Sequence, residues 1–248
     1  RFGNAMKLDG TDDHAVVSNN IPAITANLTA EAWVKLSSNT ADVNILSWGA
    51  SSNGDNAQLR VNNQGKLVFG MNSYTGGISW TGFQSYKVIN DNQWHHVAMV
   101  KTDTLYKLYI DGLYLASYIM PHLLSVNQFS IGSYISYGNH SQHFPGLIDE
   151  VRIWNVAKTQ SELTTAMNIE LAGTEQNLAA YYNFNHGVAG GTNTALTSLI
   201  DISTNGRNGL WENLALNGSS SNFVVGNNMT VSEITGNTTV LQGGMTQL

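Results

Sequence analysis

Three acidic side chains lie within five consecutive positions near the start of the chain, at Asp9, Asp12 and Asp13. A hard cation such as Ca²⁺ takes about six to eight oxygen ligands from carboxylates, amides, main-chain carbonyls and water. This segment could supply several of them, and Gly10 would let the main chain turn sharply between them. The alternative is that Asp12 and Asp13 form turns, in which their side chains accept hydrogen bonds from nearby main-chain amides.

A second kind of chemistry is indicated by aromatic and polar side chains that cluster in segments rich in turn-forming residues. A carbohydrate site needs aromatic rings for the apolar face of the sugar and polar groups for its hydroxyls, and such sites often lie on loops. For the middle segment, Gly76, Gly77 and Gly82 favour a loop over a core strand. The predicted ligand-binding residues are Trp48, Asn53, Asp55, Tyr74, Trp80, Tyr86, Tyr137, His140 and His143. The alternative is that these aromatic side chains belong to an ordinary sandwich core.

The adjacent histidines His95 and His96 could ligate zinc only if both side chains reached one ion. In a strand, consecutive side chains point to opposite faces of the sheet. A zinc site also needs further ligands at close range. We therefore expect both histidines to serve packing and hydrogen bonding.

The acidic residues of the predicted strands do not form a pair that suits glycoside hydrolysis. A retaining hydrolase needs two carboxyl groups about 5 Å apart. Asp149 and Glu150 are adjacent, so strand alternation would place them on opposite faces. Glu31 has no second carboxylate two or four positions further along. We expect Glu31 to pair with Arg152 in a structural role.

The elements that must position these residues are mostly strands. Short apolar runs with a period of two, separated by turn signals, predict an all-β antiparallel sandwich. The runs are residues 6–8, 14–18, 28–36, 43–48, 57–61, 66–70, 94–101, 105–110, 113–119, 129–133, 147–154, 177–184 and, as a possible edge strand, 223–226. Asp111-Gly112 is a strong hairpin signal. Thr159 and Glu162 match a capping box, which predicts one helix near 159–168.

The composition limits the classes of partner. The 248 residues carry 17 acidic and 11 basic side chains, for a net charge of −6, without a basic stripe. This argues against nucleic acid and anionic membranes. Cysteine is absent, which excludes disulfides and thiol chemistry, and no apolar run reaches the roughly 18 residues of a membrane span. The first residues lack the apolar segment of a signal peptide, so we expect a removed signal or a piece of a longer protein.

Six segments, taken together and in order, resemble the LamG-like jelly rolls of the concanavalin A-like lectin/glucanase superfamily. They are LDGTDDHAVV, LTAEAWVKL, NQWHHVAMV, KLYIDG, FSIG and FPGLIDEVRIWN. NLAAYYNFNHG and the segments after it resemble an extension common in such modules of Bacteroidetes surface proteins. The resemblance implies two antiparallel sheets packed face to face. It also implies a structural Ca²⁺ bound by Asp9 and Asp149, with the Gly10 carbonyl as a third ligand.

These observations predict a secreted, non-catalytic carbohydrate-binding or adhesion module whose partner is a glycan. Residues 1–226 would form one jelly-roll domain with an extension over 177–226, followed by a linker-like tail at 227–248. The predicted metal ligands are Asp9, Gly10, Asp12, Asp13 and Asp149. Two alternatives remain: a spacer or protein–protein interaction domain of a large surface protein, and a polysaccharide-degrading enzyme. One fold of this kind serves all three functions.

Overall fold

The computed structural model of the chain describes residues 3–74, 76–120 and 124–226, and the predicted tail at 227–248 lies outside them. In the described residues there is one helix, α1 (Gln160–Ala166). The strands are β1 (Asn4–Lys7), β2 (His14–Val17), β3 (Asn27–Leu36), β4 (Val43–Gly49), β5 (Asn56–Val61), β6 (Lys66–Ser73), β7 (Ile78–Val88), β8 (Trp94–Thr102), β9 (Leu105–Ile110), β10 (Leu113–Ile119), β11 (Gln128–Ile131), β12 (Tyr134–Ser136), β13 (Asn139–Ser141), β14 (Gly146–Trp154), β15 (Leu178–Tyr182), β16 (Ser198–Leu199), β17 (Gly209–Glu212) and β18 (Asn222–Val225).

The strands form a two-sheet antiparallel sandwich, which confirms the predicted fold class. Sheet A has the order β10-β9-β8-β3-β14-β1-β18, and β15 also pairs with β14. Sheet B has the order β16-β17-β2-β11-β4-β5-β6-β7, and β12 and β13 form a small separate hairpin. The inner faces supply one apolar core, which includes Ala32, Val34 and Leu36 of β3 as their alternation predicts. No helix in the described part of the chain is long and apolar enough to cross a membrane.

Two local signals appear where the sequence predicts them. Asp111 and Gly112 join β9 to β10 with positive φ angles of 53° and 74°, as a two-residue hairpin turn requires. Thr159 is the N-cap of α1, and it exchanges hydrogen bonds with Glu162 in a complete capping box. The helix ends at Ala166, two residues before the predicted end.

Asp111 also anchors the start of β8. Its Oδ2 lies 2.9 Å from His95 Nδ1 and accepts a 2.6 Å hydrogen bond from Lys87 Nζ, while Oδ1 accepts one from the His96 amide. Burial opposes ionisation, but the hydrogen bonds and charges of His95 and Lys87 lower the pKa of Asp111 to about 2. Burial likewise disfavours the charged His95, but its bond and attraction to Asp111 raise the pKa of that imidazole.

We expect Asp111→Asn to destabilise the protein by about 2 kcal/mol at pH 5.5, because asparagine keeps the turn geometry but loses the charge. The contribution of Asp111 is present above its unfolded pKa near 4 and is lost as pH falls towards 2. The contribution of His95 is present below pH 6.5 and is lost as pH rises through its raised pKa. Urea unfolding from pH 2 to 9 should therefore show the largest difference between the variants near pH 5.5. Asp103→Asn, in the exposed turn before β9, is the control, and an equal effect there would contradict the prediction.

Residues 78–88 form strand β7, so the predicted loop is wrong. Gly82 lies directly opposite Gly70 of β6. A Cβ atom at either position would collide with the ring of Trp80. These glycines therefore mark a close approach of a side chain to the main chain, and the turn lies earlier, at Gly77.

A bulge in β14 changes the predicted side-chain alternation. Asp149 pairs with Trp33 of β3, but Arg152 pairs with Glu31, so two residues of β14 oppose one of β3. Between them Glu150 has a φ of 52°, in the left-handed region. The prediction that Asp149 and Glu150 lie on opposite faces is therefore wrong. Both carboxylates lie on the outer side of sheet A.

The outer face of sheet A holds α1 through a buried arginine. Arg152 Nη1 donates a 3.0 Å hydrogen bond to the carbonyl of Ala166, and Nη2 donates to the carbonyl of Ile169. The same guanidinium lies 3.9 Å from Glu31 Oε1 and 2.5 Å from Glu150 Oε2. All three charged side chains are about 1% exposed. This confirms the predicted structural pairing of Glu31 with Arg152.

Glu31 is further bound by two ring N–H groups. Trp154 Nε1 donates a 2.8 Å hydrogen bond to Oε1, and His96 Nε2 lies 3.1 Å from Oε2. Burial raises the pKa of Glu31, but the bond to His96 and the charge of Arg152 outweigh it and hold that pKa below its usual range. His96 and His95 thus serve hydrogen bonding, as predicted.

Candidate functional site

Trp80 lies on the outer face of sheet B, at its β6–β7 edge. Its ring occupies the space above the paired glycines Gly70 and Gly82. The side chain is 42% exposed. We call Trp80 with the two glycines beneath it the Trp80 platform. It offers a flat aromatic surface to solvent.

Polar groups line one side of the Trp80 platform. The guanidinium of Arg60 lies over part of the Trp80 ring, with its central carbon 4.8 Å from the ring centre, and Asp42 forms an ion pair with that guanidinium. Asn62 Nδ2 donates a 2.9 Å hydrogen bond to Gln84 Oε1. Arg60, Asn62, Gln84 and Trp80 together line a shallow pocket of about 170 Å³. Planar polar groups beside an aromatic ring can bind the hydroxyls of a sugar whose apolar face lies on the ring.

Tyr74 and Tyr137 extend the aromatic surface beyond the end of β6. Their ring centres are 6.1 Å apart, and the two side chains are 57% and 52% exposed. Tyr74 lies four residues after Gly70, about 13 Å along an extended chain. A row of exposed rings of this length matches several units of a linear glycan better than one sugar. Tyr86, at the other end of β7, is exposed as well.

Two of the predicted ligand-binding residues are buried, and the prediction for them is wrong. Trp48 is fully buried in the core, where its Nε1 donates a 2.7 Å hydrogen bond to the Pro22 carbonyl. Asp55 is also fully buried, and its Oδ2 accepts a hydrogen bond from the Ser125 amide. Asn53 is half-buried and caps the same turn, since its Oδ1 accepts from the Asp55 amide. Asn53 and Asp55 therefore stabilise the loop between β4 and β5, and Trp48 belongs to the core.

His140 and His143 are half-buried and line a different cavity, of about 540 Å³. The His140 ring stacks on His14 at 4.0 Å, and its Nδ1 lies 2.7 Å from Ser133 Oγ. Burial, together with the neighbouring His14 and His143, lowers the pKa of His140 to about 4. The imidazole is therefore neutral at physiological pH. The structure does not bring these histidines to the Trp80 platform.

The acidic loop brings three of the predicted metal ligands together. One carboxylate oxygen from each of Asp9, Asp12 and Asp13 lies within 4.8 Å of the others. Asp13 is already bound, since its Oδ2 accepts from the Asp9 amide and its Oδ1 from Ser221 Oγ. Burial raises the pKa of Asp13, and the charges of Asp9 and Asp12 add to that rise. The turn-forming alternative holds for Asp13, while Asp12 and Asp9 are exposed.

Asp149 does not join this loop, contrary to the implied metal site. Met6 pairs with Ile148, which puts Asp149 opposite Ala5. Asp9 follows Ala5 by four residues, or roughly 13 Å along the strand. The carboxylate of Asp149 instead lies near Gly226, beside the first residues of β1. Gly10 has a φ of 79°, and a Cβ atom there would collide with Pro145, so a glycine is needed for the turn at this position.

The sequence does not identify three polar residues of the pocket: Arg60, Asn62 and Gln84. A sequence signal for the platform does exist. Gly70 ends one predicted strand, and Gly82 follows Trp80 by two residues in the next segment. That signal can be interpreted only once the register of β6 and β7 is known, since a shift of one residue would separate the glycines.

Comparison with known proteins places the fold among lectin-like domains. A family model described as the concanavalin A-like lectin/glucanases superfamily matches residues 9–164. A solved protein of Bacteroides ovatus, whose assignment as a carbohydrate-binding protein is provisional, is similar with a TM-score of 0.60 and 20% identity. That match covers 86% of this chain and 58% of the other, so the chain spans little more than half of that protein. Comparison of the sequence with curated proteins finds no match.

Two smaller structures are similar over about two thirds of this chain. The CBM40 of a Ruminococcus gnavus sialidase, bound to α2,3-sialyllactose, has a TM-score of 0.56 and 16% identity over 65% of this chain and 95% of the module. Domain 4 of an extracellular arabinanase from Geobacillus stearothermophilus, in complex with arabinotriose, has a TM-score of 0.54 and 23% identity. That match covers 65% of this chain and 75% of the other. At such identities the likeness shows the shared fold alone.

Proposed function

The chain belongs to the concanavalin A-like lectin/glucanase superfamily, and we propose that it is a non-catalytic carbohydrate-binding module whose glycan lies on the Trp80 platform. The observation that carries the proposal is a tryptophan ring, 42% exposed, above two paired glycines, with the Arg60 guanidinium over part of the ring and Gln84 in the same pocket. The two similar modules that hold bound sugars lend support at the level of the fold. We further propose an extracellular location, where polysaccharides long enough to span the row of exposed rings occur.

Binding would combine stacking with hydrogen bonding. The apolar C–H face of one sugar would lie against the exposed part of Trp80, and its hydroxyls would bond the side-chain amides of Asn62 and Gln84, which line the same pocket. Asp42 holds the Arg60 guanidinium in place, so little side-chain entropy is lost on binding. Neighbouring sugars of the bound glycan would reach Tyr74 and Tyr137. Single sites of this shallow kind bind weakly, and tandem copies would raise the avidity.

The non-catalytic assignment is supported by the burial of Glu31 and Glu150 on sheet A. Glu31 and Glu150 share Arg152 and are each about 1% exposed beneath α1. A substrate cannot reach them without displacing the helix. The pocket at Trp80 is lined, among the described residues, by amides and a guanidinium rather than carboxylates.

A glycan array tests the function, with each spot read in millimolar Ca²⁺ and again in EDTA. We expect binding to linear plant or microbial polysaccharides and to their longer oligomers. Binding that is lost in EDTA would add a calcium-dependent step to the mechanism. Silence on every spot in both conditions would contradict carbohydrate binding and favour an interaction or spacer domain.

We also propose a structural Ca²⁺ at the acidic loop. The loop fits a hard cation in part: Asp9 and Asp12 are exposed, all three carboxylates converge, and a cation would offset their mutual repulsion. Bound Ca²⁺ at about 100 times its Kd would add about 2.7 kcal/mol of stability, or roughly 5–10 °C in Tm.

Thermal melting in Ca²⁺ and in EDTA measures this effect. We expect the calcium-dependent rise in Tm to disappear in Asp12→Asn, which removes one charged ligand from the loop. Asp103→Asn, an exposed aspartate far from the loop, should keep the whole rise. Equal melting temperatures in Ca²⁺ and EDTA for the unaltered protein would rule out the site.

A protein-interaction function is the second candidate, because two edge strands expose apolar side chains. On β10, Leu113 and Ile119 are 57% and 70% exposed, and on β7 Val88 is 45% exposed. Natural edge strands usually carry charges or prolines that discourage pairing. Concentration-dependent mass in sedimentation, together with silence on the glycan array, would favour this function.

A further inference from the structure

A second pocket lies on the outer face of sheet A, on the other side of the sandwich from Trp80. Its volume is about 400 Å³, within the range of small-ligand sites. Lys7 and Lys35 line it together with Ser37, Asn92, Leu147 and Val225. The wall that the structure describes contains no carboxylate. The pocket thus combines two cations, hydrogen-bonding groups and an apolar floor.

The strand register fixes the spacing of the two lysines. Leu147 of β14 pairs with Lys7 of β1 on one side and with Lys35 of β3 on the other. Paired side chains share a face, with Cβ atoms about 5 Å apart. The lysine Cβ atoms are therefore roughly 10 Å apart with Leu147 between them. Lys35 also pairs with Trp94 of β8, which adds an indole at the end of this row.

Neither lysine has an ionic partner within the described residues, although the protein has a net charge of −6. Three cationic side chains of the two sheets already have ion pairs: Arg60 with Asp42, Lys87 with Asp111 and Arg152 with two glutamates. Lys7 and Lys35 are both half-buried in the pocket wall. Two like charges beside one cavity whose described lining has no carboxylate favour a negatively charged ligand.

We propose that Lys7 and Lys35 form a second binding site, for the carboxylate or sulfate groups of an acidic polysaccharide. The anionic group lies between the two ammonium groups, where it accepts charge-assisted hydrogen bonds from both. The apolar face of the sugar ring lies on Leu147 and Val225, and its hydroxyls bond Ser37 and Asn92. The pocket and the Trp80 platform are on opposite faces, so the two sites act independently.

The test measures binding of three defined probes to the whole chain by calorimetry at low and at physiological ionic strength. The probes are an oligogalacturonate, a sulfated heparin oligosaccharide and a neutral xylo-oligosaccharide of similar length. We expect the acidic probes to bind at this site and their affinity to fall as salt rises. The tighter of the two acidic probes identifies carboxylate or sulfate as the preferred group.

Variants locate the binding. Lys7→Gln and Lys35→Gln should each weaken acidic-probe binding by about tenfold, as expected for the loss of one hydrogen bond to a charged group. The double variant Lys66→Gln/Lys107→Gln removes the same charge from two other half-buried lysines and should change the affinity by less than about twofold. Lys7→Arg/Lys35→Arg should retain binding, which separates loss of charge from loss of folding.

Three results would overturn the inference. One is the absence of binding to both acidic probes. Another is a loss of affinity for the acidic probes that is as large in Lys66→Gln/Lys107→Gln as in Lys7→Gln/Lys35→Gln. The third is loss of acidic-probe binding in Trp80→Ala with full binding in Lys7→Gln/Lys35→Gln, which would assign the acidic glycan to the platform. Failure of neutral-glycan binding in Trp80→Ala does not affect this site, so the two proposals fail separately.

Discussion

Arg152→Met is expected to lower the free energy of unfolding by about 3–5 kcal/mol, the usual cost of leaving a buried charge without its partner. Methionine fills much of the volume of the arginine, so cavity formation contributes little. The variant leaves Glu31 and Glu150 buried without their guanidinium, and the carbonyls of Ala166 and Ile169 lose their donors. Burial already raises the pKa of Glu150. Urea unfolding monitored by tryptophan fluorescence measures the loss.

Two further variants identify the cause of the stability loss in Arg152→Met. Adding Glu31→Gln and Glu150→Gln to Arg152→Met removes the uncompensated charges, and we expect this triple variant to recover part of the lost stability. Lys66→Met makes the same change of side chain at a half-buried lysine that has no ion pair among the described residues. It should alter the free energy of unfolding by less than about 0.5 kcal/mol. A triple variant less stable than Arg152→Met would contradict this explanation.

Trp80→Ala is expected to weaken glycan binding by roughly 30-fold, which corresponds to the loss of about 2 kcal/mol from one aromatic hot spot. The fold should persist, because the Trp80 ring lies outside the buried core and rests on the glycines of β6 and β7. The measurement is isothermal titration with the best oligosaccharide from the array, accompanied by a thermal melt of each variant.

Matched variants distinguish stacking from other causes. Trp80→Phe keeps an aromatic ring and should retain most of the affinity. Tyr114→Ala removes a similarly exposed ring, 47% exposed, from β10 at the edge of sheet A, and should leave the affinity unchanged. Gln84→Ala should cost about tenfold, since it removes a hydrogen-bonding group but not the platform. Full affinity in Trp80→Ala would contradict the proposed site.

The two faces of the sandwich divide these roles. On sheet A, α1 covers the centre of the outer face, so the charged residues beneath it stabilise the fold and are closed to ligands. On sheet B, the outer face near β6 and β7 stays open, because two glycines and a flat ring replace tall side chains. The proposed Trp80 platform therefore lies on the sheet face that no helix covers, while the pocket at Lys7 and Lys35 lies on the other face, outside the part that α1 covers.

The sequence by itself determined the local features of this protein. Strands with strict alternation, such as β3, reveal which residues enter the core, because a period of two is a property of the strand alone. The Asp111-Gly112 turn and the Thr159 capping box were equally predictable, since their hydrogen bonds join residues no more than a few positions apart. The family resemblance, carried by six ordered segments, predicted the sandwich for the same reason: each segment is a local pattern.

Only the tertiary structure decided which aromatic and acidic residues face solvent. From the sequence, Trp48 and Trp80 could each offer a ring to a sugar, but Trp48 belongs to the core between the sheets while Trp80 lies on the outer face of sheet B. Asp149 looked like a partner of Asp9 until the pairing of β1 with β14 placed it opposite Ala5. Such outcomes depend on strand order and register between segments distant in sequence, and alternation along one strand contains no information about which neighbour will cover each face.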